Sequence, residues 1–198
     1  MARQREFDTD AVLVAAMDLF WEQGYEATSV EDITAATGLS RSSLYQAFGS
    51  KRALLDRAIG RYLEGLHAMT GPLEDGEPGF DGVLGFFDNW ERRVTGDEVD
   101  ASLGCLMVNC TTELAGRDTA ILDQVAGYRE RLLMGFESAL RRAGCRGEVS
   151  PGDPRERARA LVAGAMGVFV TSRGNEDPAD IVEWIRAVRS IGAAWSAT

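Results

Sequence analysis

The sequence has few of the side chains that build metal sites and disulfide frameworks. Its 198 residues include one histidine, His67, and three cysteines, Cys105, Cys110 and Cys145. A zinc site needs several His or Cys ligands at close spacing, and these residues do not supply one. An odd and sparse set of cysteines also argues against a disulfide framework, so we expect reduced thiols and no bound metal.

Long apolar segments and enzyme motifs are missing as well. No apolar run reaches about 18 residues, and the N-terminal segment MARQREFD is too polar for a signal peptide, so we expect a cytoplasmic protein with no membrane partner. The chain has no histidine-based acid–base pair, no nucleophile motif and no glycine-rich phosphate loop. We therefore expect no catalytic residue, no cofactor and no enzymatic activity.

Positive charge is scarce overall but is concentrated in one stretch. The formal net charge is −10, and the chain has a single lysine, Lys51. Residues 38–57 nevertheless hold four basic side chains and one acidic side chain, a local net charge of +3. Nucleic-acid binding requires a basic footprint, not a basic protein, so this stretch is compatible with DNA binding.

The same region, from Thr28 to Lys51, has the pattern of two short helices joined by a tight turn. Thr28 and Glu31, three residues apart, predict a capping box that begins the first helix. Gly38 ends that helix, because glycine readily adopts a positive φ, and Ser40 caps the second helix. This is the helix-turn-helix pattern, in which the second helix enters the DNA major groove N-terminus first.

The second helix separates an apolar face from a polar one. Leu44 and Phe48, four residues apart, predict the inner face. Small outward side chains allow close approach to the groove, and an arginine near the helix start can pair with a guanine edge. Tyr45 and Lys51 suit phosphate oxygens, as do free N–H groups at helix N-termini. The predicted DNA-binding residues are Thr28, Ser40, Arg41, Ser42, Ser43, Tyr45, Gln46 and Lys51.

Helix-turn-helix geometry also occurs in proteins that bind no DNA, but here the pattern is longer. Between residues 9 and 60 it runs without a gap through Phe20, Gly24, Tyr25, Thr28, Ser29, Val30, Ile33, Ala36, Gly38, Leu39, Ser40, Leu44, Tyr45, Phe48, Gly49, Ser50, Lys51, Leu54 and Leu55. This pattern closely resembles the DNA-binding head of the TetR family of transcriptional repressors. The resemblance implies a DNA-binding domain over residues 1–50 and a ligand-binding and dimerisation domain over residues 51–198.

The remainder of the chain predicts helices and no strands. We expect an all-α fold of about nine helices, including one from Lys51 to about Met69, a loop over residues 71–79 and a buried helix over residues 102–114. The final two helices have more apolar surface than packing at the edge of a single small domain requires. Paired with their symmetry mates they would form a four-helix bundle, which the TetR resemblance also implies. Such a homodimer would place its recognition helices about 34–36 Å apart on a palindromic operator. The alternative is a monomer with these residues in its core.

Aromatic and methionine side chains with a few polar groups occupy the central helices. This mixture is typical of a small-molecule pocket and equally of an ordinary core. The TetR resemblance implies that an inducer binds here. The predicted ligand-binding residues are Phe86, Phe87, Trp90, Cys105, Met107, Asn109, Tyr128, Met166 and Phe169.

Cys105 leaves a second regulatory hypothesis open. A buried cysteine usually behaves as a small hydrophobe. However, the segment Gly104-Cys105-Leu106-x-x-Asn109 resembles a TetR subgroup in which some members sense electrophiles or oxidants, and a helix N-terminus favours the thiolate. Three hypotheses follow: a repressor released by a small-molecule inducer, a repressor switched by modification of Cys105, and a helical dimer that binds a protein partner without DNA affinity.

Overall fold

The computed structural model describes residues 7–74, 78–96, 101–173 and 177–197. In these ranges the chain forms nine α-helices and no strand, which confirms the predicted all-α class. The helices are α1 (Thr9–Gln23), α2 (Val30–Thr37), α3 (Arg41–Phe48), α4 (Lys51–Glu74), α5 (Phe80–Thr95), α6 (Leu106–Glu113), α7 (Thr119–Cys145), α8 (Pro154–Ser172) and α9 (Pro178–Ala193). One isolated antiparallel β-bridge joins Val149 to Ser196.

The chain divides into two compact units, residues 1–65 and residues 66–198. The division falls inside α4, so this helix contributes to both units. Among the described helices, none is both long enough and apolar enough to cross a membrane.

The N-terminal unit is built from α1, α2, α3 and the first part of α4. Each helix contributes a fully buried apolar side chain: Phe20 from α1, Ile33 from α2, Leu44 from α3 and Leu54 from α4. Burial of these side chains stabilises a small helical core on which the surface of α3 is displayed.

The start of α2 lies one residue later than predicted. Ser29 is the N-cap: its hydroxyl accepts the Asp32 backbone N–H at 3.0 Å, and the Asp32 carboxylate accepts the Ser29 N–H at 2.8 Å. Thr28 is instead fully buried, and its hydroxyl donates to the Gly24 carbonyl oxygen at 2.6 Å. The prediction of Thr28 as the cap is therefore wrong, because burial places its side chain inside the unit and not at the helix end.

The second unit, which we call the body, packs α5 to α9 with the last turns of α4. Helix α7 lies along α8, and α9 packs against both α5 and α8. Arg155 of α8 joins two carboxylates of α7, with Nη1 at 2.7 Å from Glu137 Oε2 and Nη2 at 3.3 Å from Glu130 Oε1. The hydrogen bond from Arg155 is the main reason that the pKa of the Glu137 carboxyl lies below its usual value. These contacts hold α7 and α8 in one register.

The C-terminal end of α4 differs from the sequence prediction. The helix continues to Glu74, although Gly71 and Pro72 predicted a loop. The Leu73 side chain is buried, and its carbonyl oxygen accepts a hydrogen bond from Arg142 Nη2 at 3.0 Å. Tertiary contacts therefore outweigh the weak helix propensity of this segment.

Helix α6 begins later than predicted, at Leu106, after a short 3-10 turn over residues 101–103. Gly104 interrupts the segment because it adopts a φ of +65°, in the left-handed region. Its Cα lies so close to α8 that an added Cβ would be 2.6 Å from the Phe169 carbonyl oxygen. Only glycine satisfies both conditions without strain.

Candidate functional site

The helix-turn-helix of α2 and α3 has the predicted geometry. Gly38 ends α2 with a φ of +69°, and its N–H donates to the Thr34 carbonyl. The Ser40 hydroxyl accepts the Ser43 backbone N–H at 3.1 Å and so caps α3. Leu44 and Phe48 are buried, as predicted. The turn and the cap therefore orient α3 with its apolar side inward.

The opposite side of α3 is polar and accessible. Arg41, Ser42, Tyr45 and Gln46 are exposed, Ser40 is exposed at the cap, and Ser43 is half-buried. The three serine hydroxyls form a cluster in which Ser40 Oγ lies 3.0 Å from Ser42 Oγ and 2.9 Å from Ser43 Oγ. This surface presents hydroxyl, amide, phenol and guanidinium groups, which are the groups that bind base edges and phosphates.

Arg41 has defined partners on this surface. Its Nη1 lies 2.9 Å from Glu31 Oε1 on α2, and its guanidinium carbon lies 5.9 Å from the centre of the Tyr45 ring. The ion pair joins two residues that are ten positions apart and on different helices of the motif. Arg41 therefore has one partner on each of the two helices of the motif.

A second cation lies at the start of α4. Lys51 Nζ lies 4.3 Å from the centre of the Tyr25 ring, a cation–π distance. The Ser50 hydroxyl caps the helix by accepting the Ala53 backbone N–H at 3.0 Å. The pKa of Asp32 is lowered, first by its hydrogen bonds from the Ser29 hydroxyl and N–H and further by Lys51. The N-terminus of α4 thus combines a positioned ammonium group with helix N–H groups, an arrangement suited to a phosphate.

Thr28 is the one predicted DNA-binding residue that lies away from this surface. Its side chain is buried and its hydroxyl is bonded to Gly24. The helix cap that the sequence prediction missed is Ser29, which is half-buried. The signal was present, because Ser29 and Asp32 also have the three-residue spacing of a capping box.

In the body, four of the predicted ligand-binding residues belong to one aromatic cluster. Phe86 packs edge-to-face on Phe87 and Trp90, with ring centres 5.2 and 6.3 Å apart, and Trp90 lies 4.2 Å from Phe169. Phe136 of α7 completes the cluster, at 5.0 Å from Phe86 and 5.9 Å from Phe87. The prediction omitted Phe136, although it lies on the apolar stripe of α7. The cluster joins α5, α7 and α8 through large buried rings.

The remaining predicted ligand-binding residues lie on or beside α6, α7 and α8. Cys105 is fully buried at the N-cap position of α6, and its Sγ lies 3.7 Å from the Tyr128 hydroxyl. Burial is the main reason that the pKa of the Tyr128 phenol is raised well above its usual value. The Asn109 amide donates to the Leu103 carbonyl at 3.0 Å, while Met107 is buried and Met166 half-buried. Cys105 and Tyr128 therefore form a buried polar pair, in contrast to the apolar aromatic cluster around Phe86.

Two family models match the chain in succession. The model described as bacterial regulatory proteins, tetR family, matches residues 12–58, and a tetracyclin repressor-like C-terminal domain matches residues 79–188. The chain is 31% identical over 154 residues to the uncharacterized HTH-type transcriptional regulator YezE of Bacillus subtilis (strain 168), with 77% of this chain and 78% of that protein covered. It is 34% identical over 154 residues to the HTH-type transcriptional repressor ComR of Escherichia coli (strain K12), with 75% and 71% covered.

Solved structures agree with these matches. A cysteine mutant of the TetR family transcriptional regulator CifR, complexed with 26-bp double-strand operator DNA, superimposes with a TM-score of 0.82 at 28% identity. The superposition covers 98% of this chain and 100% of that chain. The reduced form of Escherichia coli NemR, at 17% identity and a TM-score of 0.79 over 96% of each chain, shares the fold.

Proposed function

The chain belongs to the TetR family and is a DNA-binding transcriptional regulator, not an enzyme. We propose that it is a cytoplasmic repressor. In this proposal a homodimer holds a palindromic operator and releases it when a small-molecule inducer binds to the body. The observation that carries the proposal is the exposed polar face of α3, with Arg41 at its start. The relatives named repressors and the operator complex of CifR support the same conclusion.

We assign DNA contacts by the chemistry of each exposed group. Arg41 pairs with a guanine edge in the major groove, and the Gln46 amide faces the base edges. Tyr45 and Lys51 contact phosphates, together with the hydroxyls of the cluster around Ser40. We place DNA binding in residues 1–50 and both ligand binding and dimerisation in residues 51–198.

Dimerisation is supported by the outer surfaces of α8 and α9. Val170 of α8 and Trp184 and Ile191 of α9 are large apolar side chains that remain about half exposed. The two helices are themselves closely packed, since a Cβ added at Gly164 would lie 2.7 Å from Val188 Cγ1. An apolar surface on two adjacent helices is typical of a four-helix dimer interface.

The inducer site is supported by the composition of the body. The aromatic cluster around Phe86 and the polar pair of Cys105 and Tyr128 offer ring surfaces, a hydroxyl and a thiol to a small molecule. An inducer that binds better when the two heads are splayed shifts the population away from the DNA-binding spacing. Helix α4 runs from residue 51 to residue 74 and so belongs to both units.

Modification of Cys105 is the second candidate for the switch. Its thiol lies at the N-terminus of α6 and contacts the Tyr128 hydroxyl, which gives it a polar partner inside the body. The CifR variants bound to operator DNA carry cysteine substitutions. The variant Cys105→Ser distinguishes the two switches. Serine keeps a small polar group beside Tyr128, so a reversible ligand sensor still responds, whereas a thiol sensor loses its reactive group and its response.

The repressor proposal is tested by selecting bound duplexes from a random pool at a stated salt concentration, since affinity depends on salt. Enrichment of a palindrome whose half-sites are about one helical turn apart supports the proposal. A folded dimer that enriches no sequence would overturn it and would favour the hypothesis of a protein partner.

A further inference from the structure

The contact between Glu31 and Arg41 places a carboxylate on the DNA-facing side of the motif. Glu31 lies in the first turn of α2 and Arg41 in the first turn of α3, with 2.9 Å between Oε1 and Nη1. Their side chains are 72% and 64% exposed, respectively. An exposed pair of this kind adds little to folding stability, so stability alone does not account for it.

The geometry leaves the rest of the guanidinium available. The bond to Glu31 uses Nη1, whereas Nε and Nη2 form a second edge with the two-pronged geometry that fits O6 and N7 of guanine. The centre of the Tyr45 ring lies 5.9 Å from the central carbon of the same group. Two partners on neighbouring helices therefore restrict where Arg41 can direct this edge.

A carboxylate at this position also acts on DNA directly. The backbone of any duplex carries about one negative charge for every 1.7 Å of helix, and the charge of Glu31 opposes its approach whatever the sequence. That repulsion is offset only where Arg41 finds an acceptor pair on a base. In a random sequence Arg41 would otherwise turn to a nearby phosphate, and the bond to Glu31 opposes this.

We propose that Glu31 is a specificity-determining residue that acts by positioning Arg41. It holds the guanidinium for a single base pair and weakens binding to every sequence that lacks that base pair. This inference rests on the proposed function, because it requires that α3 reads DNA. It differs from a purely structural role, in which the negative charge of Glu31 only stabilises the N-terminus of α2.

The test compares Glu31→Gln with a matched control, Glu64→Gln. Glu64 lies on α4 and is 76% exposed, so its replacement removes the same charge from the same unit without touching Arg41. The operator is first selected with the unaltered protein, and Arg41→Ala then identifies the base pair that Arg41 reads. Affinity is measured at fixed salt for the operator and for a duplex with that base pair exchanged.

We expect Glu31→Gln to bind the exchanged duplex more tightly and to lower the ratio of the two affinities about 1.4- to fivefold, the range expected for an exposed ion pair. Glu64→Gln should leave the ratio unchanged, and so should Glu31→Gln in the Arg41→Ala background. An unchanged ratio for Glu31→Gln alone, in a variant that melts like the unaltered protein, overturns the inference about Glu31. Failure of the unaltered protein to select any operator overturns the proposed function instead.

Discussion

Replacing Trp184 with alanine should dissociate the dimer without unfolding the protomer. Trp184 lies on the outer side of α9 and is 52% exposed in the single chain. Half of its surface makes no contact within the protomer, so removal of the ring costs the protomer only the packing of the other half, which lies outside the fully buried core. The proposed interface, in contrast, loses one of its largest apolar side chains from each subunit.

The size of the effect follows from the exposed area. A tryptophan side chain offers up to about 250 Å², so the 52% that is exposed corresponds to about 130 Å². At about 25 cal/mol per Å² this is about 3 kcal/mol for each subunit, of which alanine retains a small part. Because the dimer is two-fold symmetric, the loss occurs twice. The free energy of dimerisation should therefore fall by at most about 4–6 kcal/mol, which corresponds to an increase in Kd of about a thousandfold or more.

Sedimentation velocity over a range of concentrations measures this change, and far-UV circular dichroism confirms that the helices are intact. The matched control is Met134→Ala, since Met134 is 56% exposed on α7 and lies outside the proposed interface. We expect Trp184→Ala to sediment as a monomer and Met134→Ala to remain a dimer. A dimer of undiminished affinity for Trp184→Ala, or equal dissociation of both variants, would refute the placement of the interface.

The remaining predictions concern the cap of α2 and two glycines of the body. Ser29→Ala removes the cap of α2 and should lower the free energy of unfolding by about 1 kcal/mol in thermal denaturation. The pKa of the Asp32 carboxyl is lowered in the fold, so its ionised form stabilises the fold at pH values above the ordinary pKa of 3.8. This stabilisation is lost as the pH falls below that value. In Ser29→Ala, the stability that is lost during acid titration should be smaller. Gly104→Ala, which places a carbon 2.6 Å from the Phe169 carbonyl oxygen at a φ of +65°, should cost more than about 1 kcal/mol. Gly127→Ala, whose added carbon meets nothing within 4 Å, should raise the melting temperature instead, and equal shifts for the two glycine variants would contradict this account.

Local signals made most of the fold predictable. Asp118 and Asp153 are of a residue type that favours helix N-caps, and their carboxylates accept backbone N–H groups at the starts of α7 and α8, respectively. The amphipathic stripes of those helices are equally local, because they depend only on spacing along the chain. The class and the approximate number of helices could therefore be predicted from the sequence.

The errors arose where tertiary contacts decide between local alternatives. Thr28 and Ser29 each have an acidic residue three positions later, so the sequence contains two overlapping capping boxes, and only the burial of Thr28 selects Ser29. The end of α4 was misplaced for a related reason. Burial of Leu73 and its hydrogen bond from Arg142 depend on α7, which lies far away in sequence.

The two parts of the candidate site differ in how far the sequence could define them. The polar face of α3 follows from the period of a short helix, so most of its residues are exposed as expected. The ion pair between Glu31 and Arg41 joins different helices and has no periodic signal. In the body, Phe86 and Phe136 meet only through the packing of α5 on α7, so their contact could not be predicted from either helix alone.

The most direct test of the central claim, that α3 reads the operator, compares the selected operator with a scrambled duplex for three proteins at one salt concentration. These are the unaltered protein, Arg41→Ala and Arg131→Ala, and the last removes an equally charged, exposed side chain from α7. Fluorescence anisotropy should show that Arg41→Ala weakens operator binding about five- to 150-fold, the range for one bidentate base contact, and reduces the preference over the scrambled duplex. Arg131→Ala should leave that preference unchanged. Equal losses for both variants on both duplexes would contradict the claim.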